Sequence, residues 1–173
     1  LNRIEVGAGE FHFLPAGTVH ALGCGVVAAE VQTASDSTFR LHDWGRGRDL
    51  QVEQALQCMK FTAETDVGED ITTPPKDGLG ISSPYFSVHK RRAEGCSASL
   101  PAGRCTVLMF LPAAGVCEIR HAGPAEPILP VLAGDTVLVP AGCQGVQVVC
   151  DGRCEWLEII VPRGSGGRDQ VGR

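Results

Sequence analysis

The chain has 173 residues, 43% of them hydrophobic and 20% charged, with a formal net charge of −5. That length suits one ordinary domain, or a domain with part of another, and supplies enough apolar residues for a real core. The acidic balance argues against nucleic acid or an anionic membrane as partner. It leaves room for a small anionic substrate held by a few local arginines, and Arg40, Arg46 and Arg48 form such a cluster.

No apolar run approaches the ~20 residues that span a bilayer, and no signal peptide is legible, so a cytoplasmic protein without membrane association is expected. The 22 glycines and 11 prolines, against 5% aromatic residues, favour short strands joined by tight turns. An all-β fold follows from that composition.

In chain order, residues 4–14 read as strand, glycine turn and strand, and Pro15-Ala16-Gly17 as a second turn. Short strands are expected at Val26–Val31 and Thr38–Trp44. A helix is predicted from about Asp49 to Lys60, because Val52, Ala55, Leu56 and Met59 repeat on one face and Asp49 can cap it. Residues 62–84 are rich in Thr, Asp, Glu, Pro and Gly and read as a linker. Strands then resume at 86–91, 105–111, 115–120, 127–132, 136–139, 145–150 and 155–161, the spacing of a sandwich, jelly roll or small barrel. The expected organisation is 1–61, 62–84 and 85–163, followed by a disordered tail at 164–173.

Eight cysteines, Cys24, Cys58, Cys96, Cys105, Cys117, Cys143, Cys150 and Cys154, are scattered without a C-x-x-C pair. They read as reduced, largely buried thiols acting as small hydrophobes. A disulfide framework and a thiolate metal site are the lesser alternatives. Lys90-Arg91-Arg92 reads as a solvated basic face. His89 and His121 have no metal-spaced partner, and His12 and His42 read as structural.

An internal echo organises the rest. Gly9-Glu10-x-x-x-Leu14-Pro15-Ala16-Gly17 reappears as Gly134-Asp135-x-x-x-Val139-Pro140-Ala141-Gly142, so one turn-strand-turn unit is used twice. The copies differ three residues past the last glycine, where the first has His20 and the second Gly145. Only the first can offer an imidazole there.

The pattern Gly9-(x)5-Pro15-Ala16-Gly17-(x)2-His20 resembles the second cupin sequence motif. The longer stretch Pro15–Ala21, Glu30-x-Gln32-x-x-Ser35-Asp36-x-Thr38-x-Arg40 and Asp43 resembles the active-site segment of type I mannose-6-phosphate isomerases, bacterial short form. The resemblance implies a cupin (jelly-roll) fold with one short helix between two barrel units, residues 1–61 being the closing part of a catalytic barrel. It implies Zn2+ in the parent protein, with His20 as one ligand and the others upstream of Leu1. It also places Glu30 and Arg40 near a phosphorylated hexose.

Moving a proton between C1 and C2 of such a sugar requires a carboxylate, for which Glu30 is the candidate, and a cation to hold phosphate or enediolate charge, for which Arg40 is. Gln32 and Asp36 are candidates for sugar contacts, although Asp36, like Asp43, also reads as a loop organiser. Each residue has a structural alternative: a turn histidine, a rim carboxylate, an arginine in a salt bridge. Expected for the chain alone is no turnover, and self-association through open sheet edges. The rival readings are a non-catalytic sugar-binding or regulatory cupin, and the isomerase half of a bifunctional nucleotide-sugar enzyme.

Overall fold

A computed structural model describes residues 3–33, 35, 37–61, 78–121 and 128–162. The chain divides into two compact units, Leu1–Thr72 and Thr73–Arg173.

The second unit holds the strands of the described residues. These are β1 Leu79–Ser82, β2 Ser87–Glu94, β3 Ser97–Ser99, β4 Thr106–Leu111 and β5 Val116–His121. They continue as β6 Ile128–Val131, β7 Thr136–Val139, β8 Val146–Asp151 and β9 Arg153–Ile160. All pairings are antiparallel, in a five-stranded sheet ordered β1-β2-β9-β4-β7 and a four-stranded sheet ordered β3-β8-β5-β6.

The order has a simple logic. β5 pairs with β6, β4 with β7, β3 with β8 and β2 with β9, so β2 to β9 form one long nested hairpin. Successive nested pairs fall alternately in the four-stranded and five-stranded sheets, which is a jelly roll. β1 extends its edge.

Side-chain alternation fills the roll. On β4, Thr106, Leu108 and Phe110 are buried and their neighbours half-buried; on β8, Val146, Val148 and Cys150 take the inner face. Leu108, Phe110, Val146, Val148 and Cys150 pack with Cys117, Ile119, Val131, Cys154 and Trp156 in one core cluster. Burying each large apolar side chain contributes about 1.5–3 kcal/mol. Gly115 is required where the chain enters β5, because a Cβ there would lie 2.5 Å from the Asp151 carbonyl oxygen.

Two expectations about this unit change. β1 lies inside the stretch read as linker, and β3 was not foreseen: at three residues it is too short for an alternation pattern. The basic run is not a free solvated face. It lies in β2, opposite β9, where Lys90 pairs with Glu155 at 3.2 Å and Arg91 with Glu158 at 2.8 Å.

The first unit contains α1, Val52–Cys58, and no strand among the described residues. The strands expected at 4–14, 26–31 and 38–44 are therefore not formed there: isolated bonds such as Gln51 N–H to the Arg40 carbonyl do not extend into a ladder. The helix is shorter than predicted. Gln51 is its N-cap and Met59 its C-cap, so Asp49 lies outside it, and Ala55 is its buried residue while Val52 and Leu56 stay largely exposed.

Candidate functional site

In the first unit the repeated turn fixes the backbone ahead of His20. The Glu10 N–H donates to the Gly7 carbonyl at 3.3 Å, and the Glu10 carboxylate accepts the Gly7 N–H at 2.9 Å. That bond, first among the causes, holds the Glu10 carboxyl below its ordinary value, with His12 contributing from 3.2 Å. The second copy has the same geometry. Asp135 N–H donates to Leu132 at 3.0 Å, and its carboxylate accepts the Leu132 N–H at 2.7 Å. Gly9 and Gly134 have φ of 90° and 93°, a conformation that glycine adopts without a Cβ penalty. The Pro-Ala-Gly turns also match, with Thr18 N–H on Pro15 at 3.1 Å and Cys143 N–H on Pro140 at 3.0 Å.

Gly17 ties this turn to the end of α1. Its carbonyl accepts the Lys60 N–H at 3.1 Å, and a Cβ on Gly17 would lie 2.7 Å from the Cys58 carbonyl oxygen. Three residues on, His20 is exposed, with Nδ1 2.9 Å from the Thr18 carbonyl. An Nδ1–H donated to that carbonyl puts the lone pair of the neutral ring on Nε2.

Arg40 is anchored at the other end of α1. Its N–H donates to the Gln51 side-chain carbonyl at 3.0 Å, its own carbonyl accepts the Gln51 N–H at 2.9 Å, and Nη1 reaches the Asp49 carbonyl at 3.4 Å. The Arg40 residue is half-buried, whereas Glu30 and Gln32 are exposed. No hydrogen bond or ion pair among the described residues joins His20, Glu30 and Arg40. Asp36 lies outside the described residues.

Asp43 is the organiser of this segment. It is 7% exposed, accepts the Arg48 N–H at 2.9 Å and pairs with the Arg48 guanidinium. The Arg48 backbone N–H, more than its side chain, holds the Asp43 carboxyl low against the effect of burial. The expected cluster of three arginines is thus divided, with Arg48 committed to Asp43. His42 packs edge-on against Trp44 at 4.7 Å and accepts the Trp44 N–H on Nδ1.

The second unit brings together three of the eight cysteines, a convergence their sequence positions do not show. Cys117, Cys150 and Cys154 are buried, and their Sγ atoms lie within 4.8 Å of one another. Cys117 and Cys150 are direct partners across β5 and β8, with sulfurs 3.5 Å apart, and Cys154 Sγ donates to the Val116 carbonyl at 3.4 Å. Burial pushes the Cys150 thiol up to about 11, and raises Cys117 further with help from the neighbouring thiols. A cleft of about 220 Å3, lined by Phe110, Val116, Cys117, Val131, Cys154 and Glu155 among others, reaches this cluster.

Mannose-6-phosphate isomerase ManA of Bacillus subtilis is 32% identical over 158 residues, covering 82% of this chain and 46% of the relative. The chain is homologous to bacterial mannose-6-phosphate isomerases. The Streptococcus mutans mannose-6-phosphate isomerase agrees, at 34% identity over 103 residues, covering 55% of this chain and 33% of the relative. The chain thus spans less than half the length of these isomerases. No protein-family model matches it. Among solved structures, a Cupin 2 conserved barrel domain protein from Salinispora arenicola aligns with a TM-score of 0.38 at 20% identity, covering 47% of this chain and 66% of that one.

Proposed function

We propose that this chain is the C-terminal part of a zinc-dependent isomerase that interconverts mannose 6-phosphate and fructose 6-phosphate. The observation that carries the reading is 32% identity to a mannose-6-phosphate isomerase over 82% of the chain. The likeness of the two turn units, down to the carboxylate that accepts an N–H three residues back, supports a parent built from two related barrels.

The hydrogen bond from His20 Nδ1 to the Thr18 carbonyl suits one zinc ligand, with Nε2 free to bind. One imidazole does not make a catalytic zinc site, which takes about three protein ligands. Among the described residues the one group of three or more candidate ligands is the cysteine cluster in the second unit. The described residues therefore do not make up the isomerase zinc site alone.

The chain's own contribution is proton transfer and charge. The Glu30 carboxylate takes the proton from C2 of the aldose and returns it to C1 by way of the enediolate, while the hydroxyl proton passes from O2 to O1. The Arg40 guanidinium, whose backbone is held by Gln51 and whose Nη1 reaches the Asp49 carbonyl, neutralises the enediolate or grips the phosphate. Gln32 and Asp36 take sugar hydroxyls. The phosphorylated hexose fits a strongly acidic chain because only the local cation must meet it.

The test joins this chain to the N-terminal part of the Bacillus subtilis relative that it does not cover and follows formation of fructose 6-phosphate. Glu30→Gln should lower kcat by about 100-fold with little change in KM. Arg40→Lys should lower kcat/KM. Full activity in both variants would sink the assignment.

A further inference from the structure

The cysteine cluster in the second unit is independent of His20 and of the isomerase reading. Its three residues come from β5, β8 and β9, and they share the inward parity of Ile119, Val148 and Trp156. Three thiols converging from separate strands are more than the scattered buried cysteines of an apolar core. Their spacing is also telling. Two sulfurs bound to one tetrahedral zinc at about 2.3 Å each stand about 3.8 Å apart. The Cys117–Cys150 separation of 3.5 Å and the 4.8 Å limit for all three bracket that value. A disulfide, at about 2.05 Å, would need the sulfurs to close by well over an ångström.

We propose that Cys117, Cys150 and Cys154 bind one thiophilic divalent ion of the zinc class, with its fourth position facing the cleft beside Cys117 and Cys154. Three thiolates suit such an ion, and a water or small ligand in the cleft completes a four-coordinate shell. The three thiols release their protons to solvent as the ion enters, so a dication and three neutral thiols become a site of net charge −1 and three protons. Because three protons leave as the ion enters, uptake rises with pH.

The experiment is titration of the reduced full chain with Co(II), whose thiolate complexes give charge-transfer absorption that nitrogen and oxygen ligands do not. One equivalent should produce the thiolate bands together with the visible bands of a tetrahedral ion. X-ray absorption on the same sample should count three sulfur neighbours. Cys150→Val should lose the bands while keeping the β-sheet circular dichroism, and Cys24→Ser and Cys58→Ser should keep them. Absence of thiolate bands in the native chain, or a shell of nitrogen and oxygen only, would overturn the proposal whether or not the variant folds. Bands that survive in folded Cys150→Val, or vanish in the exposed-cysteine variants, would overturn it as well.

Discussion

Arg91 on β2 places two guanidinium nitrogens on one carboxylate oxygen of Glu158 on β9, at 3.2 and 2.8 Å, and Glu158 is 3% exposed. The bond fastens β2 to β9, the central strand of the five-stranded sheet. Removing the arginine leaves a buried carboxylate without this partner. Arg91→Ala should cost about 1–3 kcal/mol, the half-exposed arginine keeping the figure below that of a fully buried pair. Arg91→Lys should recover only part, because an ammonium cannot reproduce the two-nitrogen grip. Urea unfolding of the three proteins checks both statements.

Glycines with different constraints should respond differently to one added methyl group. At Gly134 the space is open and the cost comes from φ of 93°, so Gly134→Ala should lose about 1–2 kcal/mol. At Gly115 the methyl would meet backbone atoms of Asp151, Gly152 and Arg153 at 2.5, 2.7 and 2.8 Å, and none of them is a flexible side-chain end. Gly115→Ala should lose about 3 kcal/mol or more. Thermal unfolding that ranks the two the other way would contradict the packing described at the β8–β9 turn.

The buried thiols impose a pH dependence of definite sign. Cys150 is raised by burial from 9.0 to about 11, so between those values the folded chain holds a proton that the unfolded chain has lost. Stability from this group is therefore complete below pH 9 and falls as pH rises from 9 towards 11. Measured without metal, Cys150→Val should show a smaller loss than the native chain over that window. Parallel curves would contradict the burial of this thiol.

Much of the second unit was legible because its strands alternate. Thr106-Val107-Leu108-Met109-Phe110 and Val146-Gln147-Val148-Val149-Cys150 each put one parity inward, and the observed strands start within a residue of expectation there. The doubled turn was legible from Gly9-Glu10 and Gly134-Asp135 because a positive φ and a short acidic side chain are local requirements. β1 was not, since Leu79-Gly80-Ile81-Ser82 is recruited by the edge of β2 rather than by its own pattern.

In the first unit, the resemblance named His20, Glu30, Gln32, Asp36 and Arg40 but could not fix their mutual geometry. Strand pairing would set that geometry, and among the described residues no strand forms there. The local anchors are visible instead: Thr18 on His20, and Gln51 with Asp49 on Arg40. The cysteine cluster was missed for the opposite reason. Cys117, Cys150 and Cys154 each carry the correct inward parity, but their convergence depends on which strands become neighbours.

The most direct test of the isomerase reading is the rate at which mannose 6-phosphate becomes fructose 6-phosphate. It should be measured on the 173-residue chain and on the same chain joined to the N-terminal part of the Bacillus subtilis relative, both supplied with zinc. The account predicts no turnover by the chain alone and clear turnover by the joined protein, lowered about 100-fold or more by His20→Ala. A folded, zinc-loaded joined protein that does not isomerise the sugar, or one indifferent to loss of His20, would contradict it.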